Sequence, residues 1–128
     1  MKIENIKFKA KRRDNGEWVE GDLMKESYGA RIIEHTSKAD NWIAVDPSTI
    51  CQFIGLKDRN GVEVYENDIV KAIDWEETTC NVEYKDYGFC LCNKRFRDGL
   101  LPLFIAADNC DIYVVGNKFD KEGVAYED

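Results

Sequence analysis

At 128 residues, the chain suits one domain, divided at most into two subdomains. Its 44% hydrophobic and 34% charged residues, with three Trp, six Tyr and six Phe, exclude a disordered chain and support a real core. The formal net charge of −7 argues against a phosphate backbone as the main partner.

That charge is unevenly placed. Residues 1–54 hold nine Lys+Arg and nine Asp+Glu, whereas residues 55–128 hold nine and 16, so the whole −7 falls in the second stretch. The opening MKIENIKFKAKRR is the reverse, with six cations against Glu4. Charges interrupt it too often for a secretory leader, and no apolar run reaches the ~20 residues of a membrane span. A cytosolic protein without membrane partners is expected. The five cysteines, Cys51, Cys80, Cys90, Cys92 and Cys110, are odd in number and lack dense spacing, so they read as free thiols rather than a disulfide framework.

In chain order, Ile6, Phe8 and Ala10 alternate with Lys7, Lys9 and Lys11, the period of a strand with one buried face. Asp14-Asn15-Gly16 is a hairpin signal, and Glu17 to Met24 is the return strand with Trp18 as its apolar anchor. Arg31 to Glu34 predicts a short strand, and His35 to Asn41 a polar loop. Trp42 to Val45 is apolar. Asp46 then suits a helix N-cap and Pro47 the first position of a single helical turn. Cys51 to Ile54 resumes as strand, and Asp58-Arg59-Asn60-Gly61 marks a second hairpin between Leu56 and Val62. Tyr65 to Asp68 turns the chain again. Five short strands are then predicted at Ile69–Asp74, Thr79–Tyr84, Gly88–Cys92, within Leu100–Ala106 and at Ile112–Val115, separated by Asp86-Tyr87-Gly88, Asp98-Gly99 and Asp108-Asn109. Such spacing predicts a small closed antiparallel barrel.

With these elements placed, one segment carries a family signature. Val45 to Val70, VDPSTICQFIGLKDRNGVEVYENDIV, resembles the YopX family of phage and prophage proteins. Asp46, Pro47, Gly55, Leu56, Lys57, Asp58, Asn60, Gly61 and Asp68 match the family pattern. The termini agree too: IKFKAKRRDNGEWV is similar to the family's opening strand and turn, and IYVVGNKFDKEG to its closing strand. Ile54 and Asn67 depart from the usual Thr and Gly. Asn is the non-glycine residue that best tolerates positive φ, so Asn67 is expected to hold such a conformation.

The resemblance implies a mainly β fold with little helix: an irregular β-rich subdomain (1–54), a turn-rich connector (55–68), and an SH3-like barrel with a C-terminal tail (69–128). It also implies self-assembly into a homo-oligomer, a phage or host protein as further partner, and the bacterial host cytoplasm as location. It implies no activity. The motif reads as architecture, because Gly, Asn and Asp permit tight turns and Asp58 can cap turn amides.

Candidate sites follow from the remaining residues. No G-x-S-x-G, H-E-x-x-H or P-loop occurs, so no enzyme is expected. Cys90-x-Cys92 places both sulfurs on one strand face but matches no zinc knuckle or ribbon, so no metal and no cofactor is expected. Lys94, Arg95, Phe96 and Arg97 put three cations around a ring at a loop tip, which suits single-stranded nucleic acid. The acidic surroundings make this the second reading, behind binding and self-assembly.

Overall fold

The computed structural model describes residues 2–72, 78–85, 88–94, 96, 99–102 and 111–120. Two compact units divide the chain, Met1–Phe53 and Ile54–Asp128. The described elements are antiparallel strands with two short 3₁₀ turns, Ile3–Asn5 and Pro47–Thr49, so the fold is mainly β.

In the first unit, β1 (Phe8–Lys11), β2 (Trp18–Glu26), β3 (Gly29–His35) and β4 (Asp40–Val45) form successive antiparallel pairs. The start of β5 (Cys51–Lys57) joins the free side of β1 through Phe8↔Gln52 and Lys9↔Cys51. Strand alternation sends Ala10, Val19, Ala30, Ile32 and Val45 into one core, with Phe8, Leu23, Ile43 and Ile50 packed against it. Each Val, Leu, Ile or Phe among them contributes roughly 1.5–3 kcal/mol when fully buried.

Three expectations for this unit change. Ile6 is exposed, because the 3₁₀ turn closes with Ile6 N–H on the Ile3 carbonyl and the ladder begins only at Phe8. Trp18 is not the core anchor. The register pairs Ala10 with Val19, and a period of two puts Trp18 on the opposite face. His35 belongs to β3 rather than a loop, since β3 and β4 pair as far as His35↔Asp40. The Thr36 hydroxyl closes that hairpin: it donates to the Ala39 carbonyl at 2.6 Å and accepts from the Ala39 amide at 3.1 Å.

β2 changes partner midway. Trp18 to Gly21 pair with β1, and Asp22 to Glu26 with β3. Gly21 sits at the switch, where a Cβ would lie 2.1 Å from the Ile33 carbonyl oxygen. Only glycine permits that approach.

In the second unit, β5 runs on past Ile54 beside β6 (Glu63–Tyr65). A five-stranded sheet follows in the order β10-β9-β8-β7-β11, from β7 (Asp68–Ala72), β8 (Thr79–Lys85), β9 (Gly88–Cys92), β10 (Leu100–Pro102) and β11 (Ile112–Asn117). Five antiparallel strands therefore stand where five were predicted. Closure does not: among the described residues β10 and β11 are the outer strands and do not pair, so the sheet is open and no barrel closes. A barrel needs those two ladders joined. The sheet's core is Val64, Val70, Ala72, Cys80, Val82, Leu91 and Ile112, with Ile54, Leu56, Phe96, Leu101 and Val114 against it. The predicted turns at Asp86-Tyr87 and Asp108-Asn109 lie outside the described residues.

Candidate functional site

The segment 54–68 holds its shape through two buried carboxylates. Asp58 Oδ1 accepts from the backbone amides of Asn60 and Val62, both at 2.8 Å, and Oδ2 accepts from Val114 N–H at 2.8 Å. One side chain thus caps its own turn and ties it to β11. The Arg59 amide adds a bond to the Ile112 carbonyl at 3.0 Å. The turn itself runs from the Asp58 carbonyl to Gly61 N–H at 3.0 Å, with Gly61 at φ 81°. A tight turn closed by a left-handed glycine is a common way to join two strands. Asn60 keeps a negative φ, so Gly61 alone makes the left-handed step.

Asp68 is the second carboxylate, 1% exposed. It accepts from Tyr65 N–H and from the Asn117 side-chain amide, each at 2.8 Å. A buried charge is tolerated when donors surround it. Asn117 is the register partner of Asp68, so this bond fastens one end of the β7–β11 pair. Asn67 adopts φ 70°, as its place in the motif predicts, and its carbonyl accepts from Lys118 N–H at 2.9 Å. Gly55 is also left-handed, at φ 84°. Leu56 packs on the core, whereas Lys57 is exposed. Ile54, the departure from Thr, packs on the same core, which gives the apolar side chain its role.

Upstream, Asp46 caps the 3₁₀ turn, accepting from Ser48 N–H at 3.0 Å and from the Ser48 hydroxyl at 2.8 Å, with Pro47 at the first position. The Ser48 hydroxyl and then its amide hold the Asp46 carboxyl below the usual range. Thr49 Oγ1 accepts from Lys11 N–H at 2.9 Å.

A different set of side chains occupies the face of the first sheet opposite its core. Lys9 Nζ lies 4.7 Å and Lys11 Nζ 5.4 Å from the Trp18 ring centroid, and Lys7 Nζ lies 4.8 Å from that of Phe53. Each is within cation–π range. Trp42, 54% exposed, belongs to the same face through the Ile33↔Trp42 and Asp22↔Ile33 pairs. At its far end His35 Nε2 meets Asp22 and Nδ1 meets Asp40, both at 2.7 Å. Those two hydrogen bonds, Asp22 first, raise the His35 pKa above its ordinary value.

The loop offered for nucleic acid is only partly described. Lys94 is exposed in the turn after β9. Phe96 is half-buried against the core, with its amide on the Asn93 carbonyl at 3.1 Å. Part of that ring's surface is thus taken up by the protein interior. Arg95 and Arg97 lie outside the described residues, as does Cys110. Cys51, Cys80, Cys90 and Cys92 are free thiols. Burial pushes Cys80 up to about 12. Among the described residues no group of three His, Cys, Asp or Glu is placed to hold a metal ion, and no helix is long and apolar enough to cross a membrane.

Sequence reasoning missed Gly21, Asn117 and the Asp22–His35–Asp40 cluster. Gly21 interrupts a predicted strand, which is a signal for close backbone approach. The other two arise from strand register, which the sequence does not display.

Fold and site together define a small two-unit antiparallel β protein whose most distinctive segment is a carboxylate-pinned connector. A model of the YopX protein family matches residues 7–122, and the chain belongs to that family. No curated protein matches it.

Proposed function

We propose that this YopX-family chain is a phage- or prophage-derived accessory protein that acts in the bacterial cytoplasm by binding, first to further copies of itself, and not by catalysis. The observation that carries the reading is the lysine-and-ring face of the first sheet, where Lys9 and Lys11 lie over the half-buried Trp18 ring and Trp42 is exposed; Phe53, under Lys7, is itself buried and adds no surface. Aromatic rings give an interface its apolar centre, and cations around them set register and encounter rate. The same chain supplies the complement, since residues 55–128 carry the whole net charge of −7. A head-to-tail contact between unlike surfaces follows. The motif carboxylates fit a non-catalytic role, because Asp58 and Asp68 are bound to amides.

Sedimentation equilibrium at about 50 μM, where micromolar dimers persist, tests the reading. The expected result is a species heavier than 14.8 kDa. It reverts toward monomer in high salt and on joint Lys9→Glu and Lys11→Glu substitution. A monomer at every salt concentration would overturn it.

A further inference from the structure

Among the described residues, β4, β6, β10 and β11 are the outer strands of the two sheets. An outer strand offers unpaired N–H and C=O groups to another chain, and proteins blunt such edges with short strands, Pro, bulges or charge. Three of these strands are blunted in that way. β6 and β10 are three residues long, and β10 ends in Pro102. β11 carries a bulge between Val114 and Gly116. β4 has none of these devices. It runs six residues in an unbroken register with β3, and Asn41-Trp42-Ile43-Ala44 holds neither charge nor Pro. We propose that β4 is a docking edge for the β4 strand of a second copy of the chain, paired antiparallel about a two-fold axis at Asn41.

The ladder decides which groups are open. Thr36 N–H donates to the Ala39 carbonyl at 3.1 Å, and bonded pairs alternate along an antiparallel ladder. Asn41, Ile43 and Val45 therefore bond β3, whereas Asp40, Trp42 and Ala44 turn their backbone groups to the outer side. Two bonds on that side fit this parity. The Ala44 carbonyl accepts from Arg13 N–H at 3.1 Å, and Asp46 N–H donates to the Lys11 carbonyl at 2.8 Å. The Arg12↔Val45 bridge thus covers one end of the edge. Among the described residues nothing pairs with the outer side of Asp40 and Trp42.

A second copy fits this short opening in one register. Trp42 opposite Trp42 would push Asp40 of the second copy into the place beside Ala44 that Arg13 holds. Asp40 opposite Asp40 would set like charges face to face. Asp40 opposite Trp42 avoids both, and each such pair exchanges its N–H and C=O groups in full. The residue on the axis is then Asn41, at a non-bonded position, where side chains come closest. Its amide is donor and acceptor at once, so it pairs with its own copy, while its other N–H keeps the 3.3 Å bond to Glu34. A charged residue there would repel itself. On the opposite face the exposed Trp42 and its neighbour Ile33 supply apolar area on both sides of the axis.

This contact goes beyond the head-to-tail reading, because it joins like edges through backbone and does not depend on the lysines. One ring and a few backbone bonds make it weak, so it fills at roughly 0.1–1 mM.

The test uses the full chain carrying Lys9→Glu and Lys11→Glu, so that loss of the lysine-face contact and loss of this one are read apart. Amide hydrogen exchange is followed by NMR at about 20 μM and about 1 mM, below and at the top of that range. The Trp42 amide should slow by about twofold to fivefold at the higher concentration, as the dimerised fraction requires. The Ile43 amide, already bonded to β3, should not change. Added to the same background, Asn41→Asp or Asn41→Lys should each weaken association in sedimentation by about threefold, because like charges meet on the axis. An equimolar mixture of the two should associate more tightly than either alone. An unchanged Trp42 amide, or a mixture no tighter than its components, would overturn the inference, whatever becomes of the lysine-face contact.

Discussion

Asp58 is the residue whose removal should cost the second unit most. Its two oxygens accept three backbone amides at 2.8 Å each, and it is 7% exposed. Hydrogen bonds to a charged acceptor contribute about 1.5–3 kcal/mol when the donor is left stranded, and about 0.5–1 kcal/mol when water can replace the acceptor. Asn60 and Val62 lie in an exposed turn and recover water, whereas the Val114 amide belongs to half-buried backbone of β11. Asp58→Ala should therefore destabilise by about 2.5–5 kcal/mol, a large share of the roughly 5–15 kcal/mol that holds a domain together. Asp58→Asn separates the two contacts. Its carbonyl can still cap the turn, but its NH₂ then faces the Val114 N–H, donor against donor. The loss should be about 1.5–3 kcal/mol, the strand contact alone. Urea unfolding at neutral pH, followed by circular dichroism, reads both values. If both variants fall within about 0.5 kcal/mol of the parent, the range of ordinary surface changes, the carboxylate does not pin the turn and the reasoning fails.

Further outcomes follow from single residues. Gly21→Ala drives a Cβ to 2.1 Å from the Ile33 carbonyl oxygen, and backbone must move. The variant should lose at least about 1–3 kcal/mol in the same unfolding assay. Asn67 holds φ 70°, so Asn67→Gly should fold normally. Asn67→Val, β-branched in a left-handed position, should cost about 1–3 kcal/mol. His35 is the chain's one histidine, so its proton NMR titration is unambiguous. The midpoint should lie above about 6.5 and fall in Asp22→Asn and in Asp40→Asn. Because the folded pKa is raised, the contribution of His35 to stability is present in full below the unfolded value. It is lost as pH rises through the folded value, and His35→Gln should flatten that slope.

Local chemistry was legible in the sequence where a residue acts on its own backbone. The positive φ of Asn67, the cap at Asp46 and the amide-binding role of Asp58 follow from what Asn and Asp side chains can reach within a few residues. The five strands of the second sheet were legible for the same reason, since alternation and turn residues are local signals. What escaped depends on long-range pairing. Asp58 also reaches Val114, 56 positions away, and Asp68 meets Asn117 across 49. Trp18 was assigned to the wrong face because hydrophobicity alone does not fix parity, and a one-residue difference sends every side chain to the other side. Closure of a barrel is a property of which outer strands meet, and composition and spacing do not contain it. Cys90 and Cys92 were visible as a pair on one face; their 3.6 Å approach was not.

The central claim divides the chain into a connector that builds the fold and a lysine-and-ring face that makes contact. Backbone and indole NMR spectra recorded from about 10 μM to 1 mM, spanning the micromolar dissociation range, test both halves at once. The account predicts concentration-dependent shifts at Lys7, Lys9, Lys11 and the Trp18 indole, with the amides of Asn60, Val62 and Tyr65 unmoved. Shifts confined to residues 55–68, or spectra that do not change with concentration, would contradict it.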